Sequence, residues 1–385
     1  MYKKYYSKFL TANPHIQHYA SHSHHFWPDI TREATLQYWD DSAKYIDDKW
    51  NHIFGEKIPN TQKLIAEILN LSHPEQIVFA PNTHEFVYRL LSCFPQNKKI
   101  KVLTSDSEFY SFDRQINRLR EDSLIEVEKI ATQPFDHFEE QFISKIQSSQ
   151  YDMIFISQVF FNSGMALKNI KAIVESVTNQ ETIIVIDGYH GFMALPTDLS
   201  SVEDRIFYLS GSYKYAQGGE GCCFMSVPRN SKLRPLYTGW FAGFDSLAQD
   251  GGNTGYSNNG LRFAGSTMDF TALYRLEAVL KLFKNEGITV SKIHSHVQSL
   301  QKNFRNHLLE IDHHFLTEKN ILNVDYTHHG HFLTFAMPSL EHAKKIHDDL
   351  RSINIWTDYR GNKLRFGFGL YQNECIDLSE LIKKS

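Results

Sequence analysis

The chain has 385 residues, 42% apolar and 22% charged, with a formal net charge of −4 at neutral pH. That length suits two lobes sharing an interface better than one compact core, and the acidic balance excludes a protein whose main business is gripping a phosphate backbone. Four cysteines, Cys93, Cys222, Cys223 and Cys375, are too few and too irregular for a disulfide framework or a thiolate zinc site.

The start, Met1 to Pro14, carries Lys3, Lys4 and Lys8 without the apolar stretch of a signal peptide. No run approaches the roughly eighteen apolar residues of a membrane span. The expectation is a cytoplasmic protein that binds neither nucleic acid nor membrane.

From residue 76 onward, short apolar strands alternate with longer amphipathic helices. Strands are predicted at Gln76–Ala80, Ile100–Thr104, Met153–Gln158, Thr182–Ile186 and Ile206–Ser210. Helices are predicted between them at Glu85–Cys93, Ser111–Arg120, Glu139–Gln147 and Lys168–Val177. Such alternation builds a mostly parallel sheet covered on both faces, and the unbroken apolar run Ile183–Ile186 fits a strand buried on both sides.

Past residue 265 the pattern changes to two long helices, Met268–Lys284 and Ser291–Leu309. A strand His331–Met337, a helix Glu341–Ser352 and a strand Lys363–Phe368 follow, which reads as a smaller α+β lobe. The expected division is an N-terminal segment, 1–45, packing on the small domain, a large domain, 46–265, and a small C-terminal domain, 266–385.

Ligands of open α/β sheets sit outside the carboxyl ends of the strands. Four segments at or near such ends carry chemistry. Ala80-Pro81-Asn82-Thr83-His84-Glu85 leads into a helix whose first N–H groups suit a phosphate, although Asn82 or Thr83 can equally be a plain cap. In Ile186-Asp187-Gly188-Tyr189-His190-Gly191, an Asp directly after a buried strand needs a cationic partner; a protonated pyridine nitrogen or a structural ion pair would both serve. Ser210-Gly211-Ser212-Tyr213-Lys214-Tyr215 holds a lysine able to form an imine if its amine is desolvated, where an ordinary lysine is a solvated surface residue. Lys363-Leu364-Arg365-Phe366-Gly367 places Arg365 in an apolar strand, as a carboxylate grip or an interlobe salt bridge.

The order of these segments, with Asp187 lying 27 residues before Lys214 and an Arg near the C-terminus, resembles the fold-type I, class V aminotransferase family of pyridoxal-phosphate (PLP) enzymes. Within it the chain is most similar to kynureninase. Ser212-Tyr213-Lys214-Tyr215 is similar to the S-Y-K-Y around the Schiff-base lysine, and Asp187-Gly188-Tyr189-His190 resembles D-x-x-H. Asn82-Thr83-His84 resembles N-x-H, and Gly239-Trp240-Phe241 resembles the G-W-F that meets the neighbouring subunit's site. Asp358-Tyr359-Arg360, Leu364-Arg365-Phe366-Gly367 and Leu370-Tyr371 resemble the C-terminal D-x-R…L-R-F-G…L-Y.

The resemblance implies an aspartate-aminotransferase-like fold, with a mostly parallel seven-stranded sheet in the large domain. It implies PLP on Lys214, Asp187 on the pyridine nitrogen, and Phe109 stacked on the ring. Asn82, Thr83, Gln158, His190, Ser212, Tyr213, Trp240, Ser266 and Thr267 complete the expected cofactor site. Arg365, His84, His24 and Asn162 are the expected substrate contacts, with Arg365 holding the α-carboxylate. Lys214, Asp187, His84 and Tyr213 are the expected catalytic set, and the expected reaction is hydrolytic Cβ–Cγ cleavage giving alanine and an aromatic acid. A homodimer with shared active sites is the implied assembly.

Two departures concern the substrate. Gly265-Ser266-Thr267 stands where kynureninases carry Asn-Pro, which favours an aminotransferase or another lyase as the alternative, and His22-Ser23-His24-His25 replaces their Asn-Ser-Leu-Gly. Neither that histidine run nor His328, His329 and His331 has carboxylate or Cys partners at ligand spacing, so no metal is expected. A cysteine desulfurase needs a mobile-loop Cys in the small-lobe half; Cys375 is the one candidate, and it follows Arg365 too late.

Overall fold

A computed structural model of the chain describes residues 2–247, 252–311, 313–322 and 325–374, together with 376, 378 and 381. Its strands, in chain order, begin with β1 (Gln17–His18), β2 (Ile77–Ala80), β3 (Ile100–Ser105) and β4 (Ile125–Ile130). Next come β5 (Met153–Ser157), β6 (Ile183–Asp187), β7 (Ile206–Gly211) and β8 (Cys223–Ser226). The last four are β9 (Phe332–Ala336), β10 (Ile355–Trp356), β11 (Asp358–Arg360) and β12 (Lys363–Gly367).

Seven strands form the main sheet in the order β2-β8-β7-β6-β5-β3-β4. Only β8 runs against its neighbours. The fold is therefore the expected α/β, fold-type I architecture. The central strand β6 is Ile-Ile-Val-Ile-Asp, and its four apolar residues are fully enclosed, as parallel strands with helices on both faces must be. The edge strand β4, Ile-Glu-Val-Glu-Lys-Ile, was not anticipated; its charges leave it half exposed, which blunts a sheet edge.

All strands but β8 point the same way, so the carboxyl ends of β2, β3, β5, β6 and β7 share one rim. The helices Thr83–Leu91 and Tyr110–Glu121 start from that rim.

The larger core continues past residue 265, since Leu273, Leu276, Val279, Leu280 and Phe283 of the helix Thr271–Asn285 pack into it. A helix not singled out in the sequence, Ile30–Tyr45, lies against this one, with Tyr274 donating to Asp41 at 3.0 Å. A second core joins Val297, Leu300 and Phe304 of the helix Val290–Glu310 to the antiparallel sheet β11-β12-β9. The N-terminal segment is tied to that second unit by β1, which pairs parallel with β10.

Candidate active site

Lys214 follows β7 and is 8% exposed, with its Nζ 2.6 Å from Nε2 of His190. Burial, with Arg365 adding to it, draws the Lys214 ammonium down to about 7. Burial also holds His190 neutral, well below the usual imidazole value, and the Lys214 charge acts in the same direction. Two aromatic rings flank the amine, those of Phe109 and Tyr189, each with its centroid 5.3 Å from Nζ.

Asp187 closes β6. Its carboxyl accepts the Tyr189 N–H at 2.9 Å, yet burial lifts it to about 6. Lys214 is the cation whose field acts on it. Glu108 lies beside them, between the ends of β3 and β5, and escaped the sequence reading. It accepts from Ser105 Oγ at 2.6 Å and from Ser157 Oγ at 2.5 Å, and burial pushes it up to about 8. Ser157 is the register partner of Asp187, so Glu108 clamps the loop that carries Phe109 onto the strand next to Asp187.

Across the cleft, Arg365 on β12 is buried. Its Nε donates to Asp358 at 2.8 Å, its Nη2 to the same carboxylate, and its Nη1 to the Phe161 carbonyl at 2.6 Å. The salt bridge of Arg365 is thus with Asp358 on the adjoining strand of its own sheet, and its contact with the other lobe is a hydrogen bond to the Phe161 carbonyl. Among the described residues three of the guanidinium's five N–H groups are committed to these partners. Asn162, next along the chain, donates to Ser107 Oγ at 2.9 Å, while its buried Oδ1 has no partner among the described residues. His24 and Tyr213 meet with ring centroids 5.7 Å apart, and His24 Nδ1 lies 3.8 Å from Glu220.

Other expected residues face elsewhere. Gln158 is turned under the Asp187–Gly191 turn, where it donates to Thr197 at 2.8 Å and accepts from Tyr208 at 2.9 Å. A Cβ on Gly191 would sit 2.1 Å from its Oε1, so the Gln158 amide occupies the space a side chain there would need. The Ser212 hydroxyl is enclosed and donates to the Gly219 carbonyl. Asn82 caps the helix Thr83–Leu91 by accepting the Glu85 N–H at 3.0 Å, the plain reading of that residue. Thr83 opens that helix and is partly buried.

His84 is exposed and bonded to Gln115 at 2.6 Å, in a cleft of about 650 Å³ that also contains Tyr88, Arg114 and Tyr237. No hydrogen bond or ring contact joins it to Lys214. Trp240 donates to Thr267 Oγ1 at 3.2 Å, and Thr267 and Ser266 line a separate cleft of about 450 Å³ with Tyr88 and Arg89.

Pyridoxal phosphate suits this donor set. An enclosed amine of lowered basicity, flanked by two rings, faces a buried carboxyl whose one ionised neighbour is that amine. Each is an unfavourable burial by itself and is relieved by a cationic aromatic ring carrying an aldehyde.

The chain matches the family profile described as Aminotransferase class-V over residues 33–347. It belongs to the class-V aminotransferase family. PLP is the cofactor of this family and of this chain.

Solved structures agree in fold. A lysine-to-alanine mutant of C-DES, with glycine covalently linked to the PLP cofactor, superposes with a TM-score of 0.77 at 15% identity, covering 97% of both chains. The cystine C-S lyase C-DES in complex with cysteine persulfide does so with a TM-score of 0.77 at 16%, covering 97% of this chain and 98% of the other. The cysteine desulfurase CsdA from Escherichia coli gives 0.76 at 15%, covering 97% and 96%. No curated protein matches this chain. These likenesses carry the fold, and none of them is a kynureninase.

Proposed function

We propose that this class-V enzyme acts on an amino acid as a kynureninase-type hydrolase, cleaving Cβ–Cγ to release alanine and an aromatic acid. The observation that carries the amino-acid part is the placement of the Arg365 guanidinium within the field of the Lys214 amine. The hydrolase part rests on the S-Y-K-Y, D-G-Y-H and L-R-F-G segments. Burial also argues against thiol chemistry, because it pushes Cys93 and Cys223 up to about 12 and Cys222 well above its usual value. Cys375 lies outside the described residues.

In this reading Lys214 holds the cofactor, Asp187 faces its ring nitrogen and Phe109 its ring face. The bound cofactor supplies an electron sink for charge developing at Cα. Arg365 receives the α-carboxylate on its remaining N–H groups and so orients the substrate. Once the amino group of the substrate has taken its place, the released Lys214 amine would take the Cα proton, with neutral His190 at 2.6 Å as its hydrogen-bond partner. Tyr213, the neighbour of Lys214 in the chain, and His24, whose ring meets it at 5.7 Å, are in this reading the side chains that polarise a γ-ketone as water adds to it.

Trp240, Ser266 and Thr267 belong to a homodimer interface in this reading, covering the open 450 Å³ cleft. The runner-up is an aminotransferase, favoured by Gly265-Ser266-Thr267 in place of Asn-Pro.

The test is to add L-kynurenine to the PLP-loaded protein. Anthranilate and alanine without any keto-acid requirement support the hydrolase. Turnover that depends on an added keto acid moves the reading to the aminotransferase, and an inert kynurenine removes the hydrolase reading. Light scattering at the monomer mass would remove the shared site.

A further inference from the structure

The histidine run near the N-terminus is one of two places where the chain departs from the kynureninase pattern, and one of its members lies against Asp358 and so against Arg365. β1 pairs with β10, and the Gly367 N–H bonds to the Tyr19 carbonyl at 2.7 Å, so the segment is laced to the β11-β12-β9 sheet. The turn that follows delivers His22, which is fully buried.

Its ring stacks on Phe332 at 4.8 Å, and His190 and the Arg365 guanidinium approach the same ring at 5.5 Å and 5.9 Å. Gly367 is what lets it in, since a Cβ there would lie 2.3 Å from its Nδ1.

The His22 Nε2 lies 2.8 Å from Asp358 Oδ1, and Nδ1 has no hydrogen-bond partner among the described residues. The one proton of a neutral ring therefore belongs on Nε2, donated to Asp358. Burial holds His22 down to about 4, so the ring is neutral at physiological pH. Asp358 is the cross-strand partner of Arg365 and takes the Nε/Nη2 fork. His22 and Arg365 keep that carboxyl ionised against the burial that opposes it.

We propose that His22 is a positioning residue for substrate: through Asp358 it fixes the plane of Arg365 and so sets recognition of the α-carboxylate. This rests on the reading of Arg365 as the carboxylate anchor. The fork of the guanidinium is spent on Asp358, so the ligand meets only the remaining edge. The direction of that edge is the direction of the Asp358 carboxylate, which His22 prevents from turning. A substrate with a carboxylate feels this chain of contacts, whereas one without it does not.

The experiment titrates PLP-loaded protein with L-alanine and with L-alaninamide, reading cofactor absorbance rather than turnover. His22→Ala should weaken L-alanine at least about tenfold, since misplacement of a binding group by about 1 Å costs up to about a hundredfold. It should leave L-alaninamide unchanged. His22→Gln, which keeps an N–H for Asp358, should restore most of the loss, and unchanged melting temperatures rule out a folding defect. Equal weakening of both probes, or of neither, overturns the proposal. Arg365→Lys separates the two layers. If it also leaves the preference for alanine intact, the anchor falls and this inference with it. If it abolishes the preference while His22→Ala does not, the anchor stands and only His22 is dismissed.

Discussion

The two walls of the cleft treat charge in opposite ways. On the wall built from the main sheet, Lys214, His190, Asp187 and Glu108 are buried without full counter-charges, and burial wins. Lys214 is drawn down to about 7, Asp187 lifted to about 6 and Glu108 to about 8. On the wall built from β11, β12 and the N-terminal turn, Arg365 is buried and Asp358 largely enclosed, but the two are matched, so Asp358 stays well below the usual carboxylate range. Unmatched burial yields groups that exchange protons near neutrality, which is what a catalytic base requires. Matched burial yields locked charge, which serves geometry.

The contrast can be broken most sharply at Lys214. Lys214→Ala should lower turnover by about a thousandfold or more and abolish the absorbance of lysine-bound cofactor, while the melting temperature of the cofactor-free protein stays the same or rises. Full turnover in this variant would remove Lys214 from the chemistry.

On the matched wall the effect should be smaller and of another kind. Arg365→Lys keeps a charge but loses the planar fork, so KM for the amino acid should rise about ten- to a hundredfold with a lesser change in kcat. A fall confined to kcat would place Arg365 in catalysis instead of binding.

The smallest effect concerns Glu108 and is read without cofactor. Its folded-state pKa is raised from 4.5 to about 8, so between these values the native protein holds a proton that the unfolded chain has lost. The stability tied to that proton is complete below about pH 4.5 and is lost as pH rises toward 8. Relative to wild type, Glu108→Gln should therefore gain melting temperature from pH 5 to pH 8.5. A difference that does not vary with pH would mean that Glu108 is ionised in the folded protein.

The unmatched wall was largely legible. Asp187 and Lys214 each stand at or just past an apolar strand, where the rule for strand ends looks for them, and Phe109, reached through the family resemblance, lies beside Lys214. Glu108 was not legible, because a carboxyl between Ser107 and Phe109 reads as an exposed loop charge until β5 is laid beside β3. Gln158 and Ser212 were placed in the cofactor site by the family resemblance; their side chains are bonded to Thr197 and Tyr208 and to the Gly219 carbonyl, partners that no local pattern announces.

The matched wall was half legible. Arg365 was an anomaly in an apolar strand, and Asp358 lay in a quoted motif without a role. Nothing local links His22 to Asp358 across 336 positions.

By itself, then, the sequence determined the alternation of strand and helix, the parallel sheet, and which side chains stand at its rim. Those depend on burial patterns that repeat every two or every 3.6 residues. The tertiary structure alone decided which carboxylate holds Arg365, which histidine holds that carboxylate, and which expected residues turn away. These depend on close approach between distant segments, where one missing Cβ, at Gly367, admits a ring that no local pattern announces.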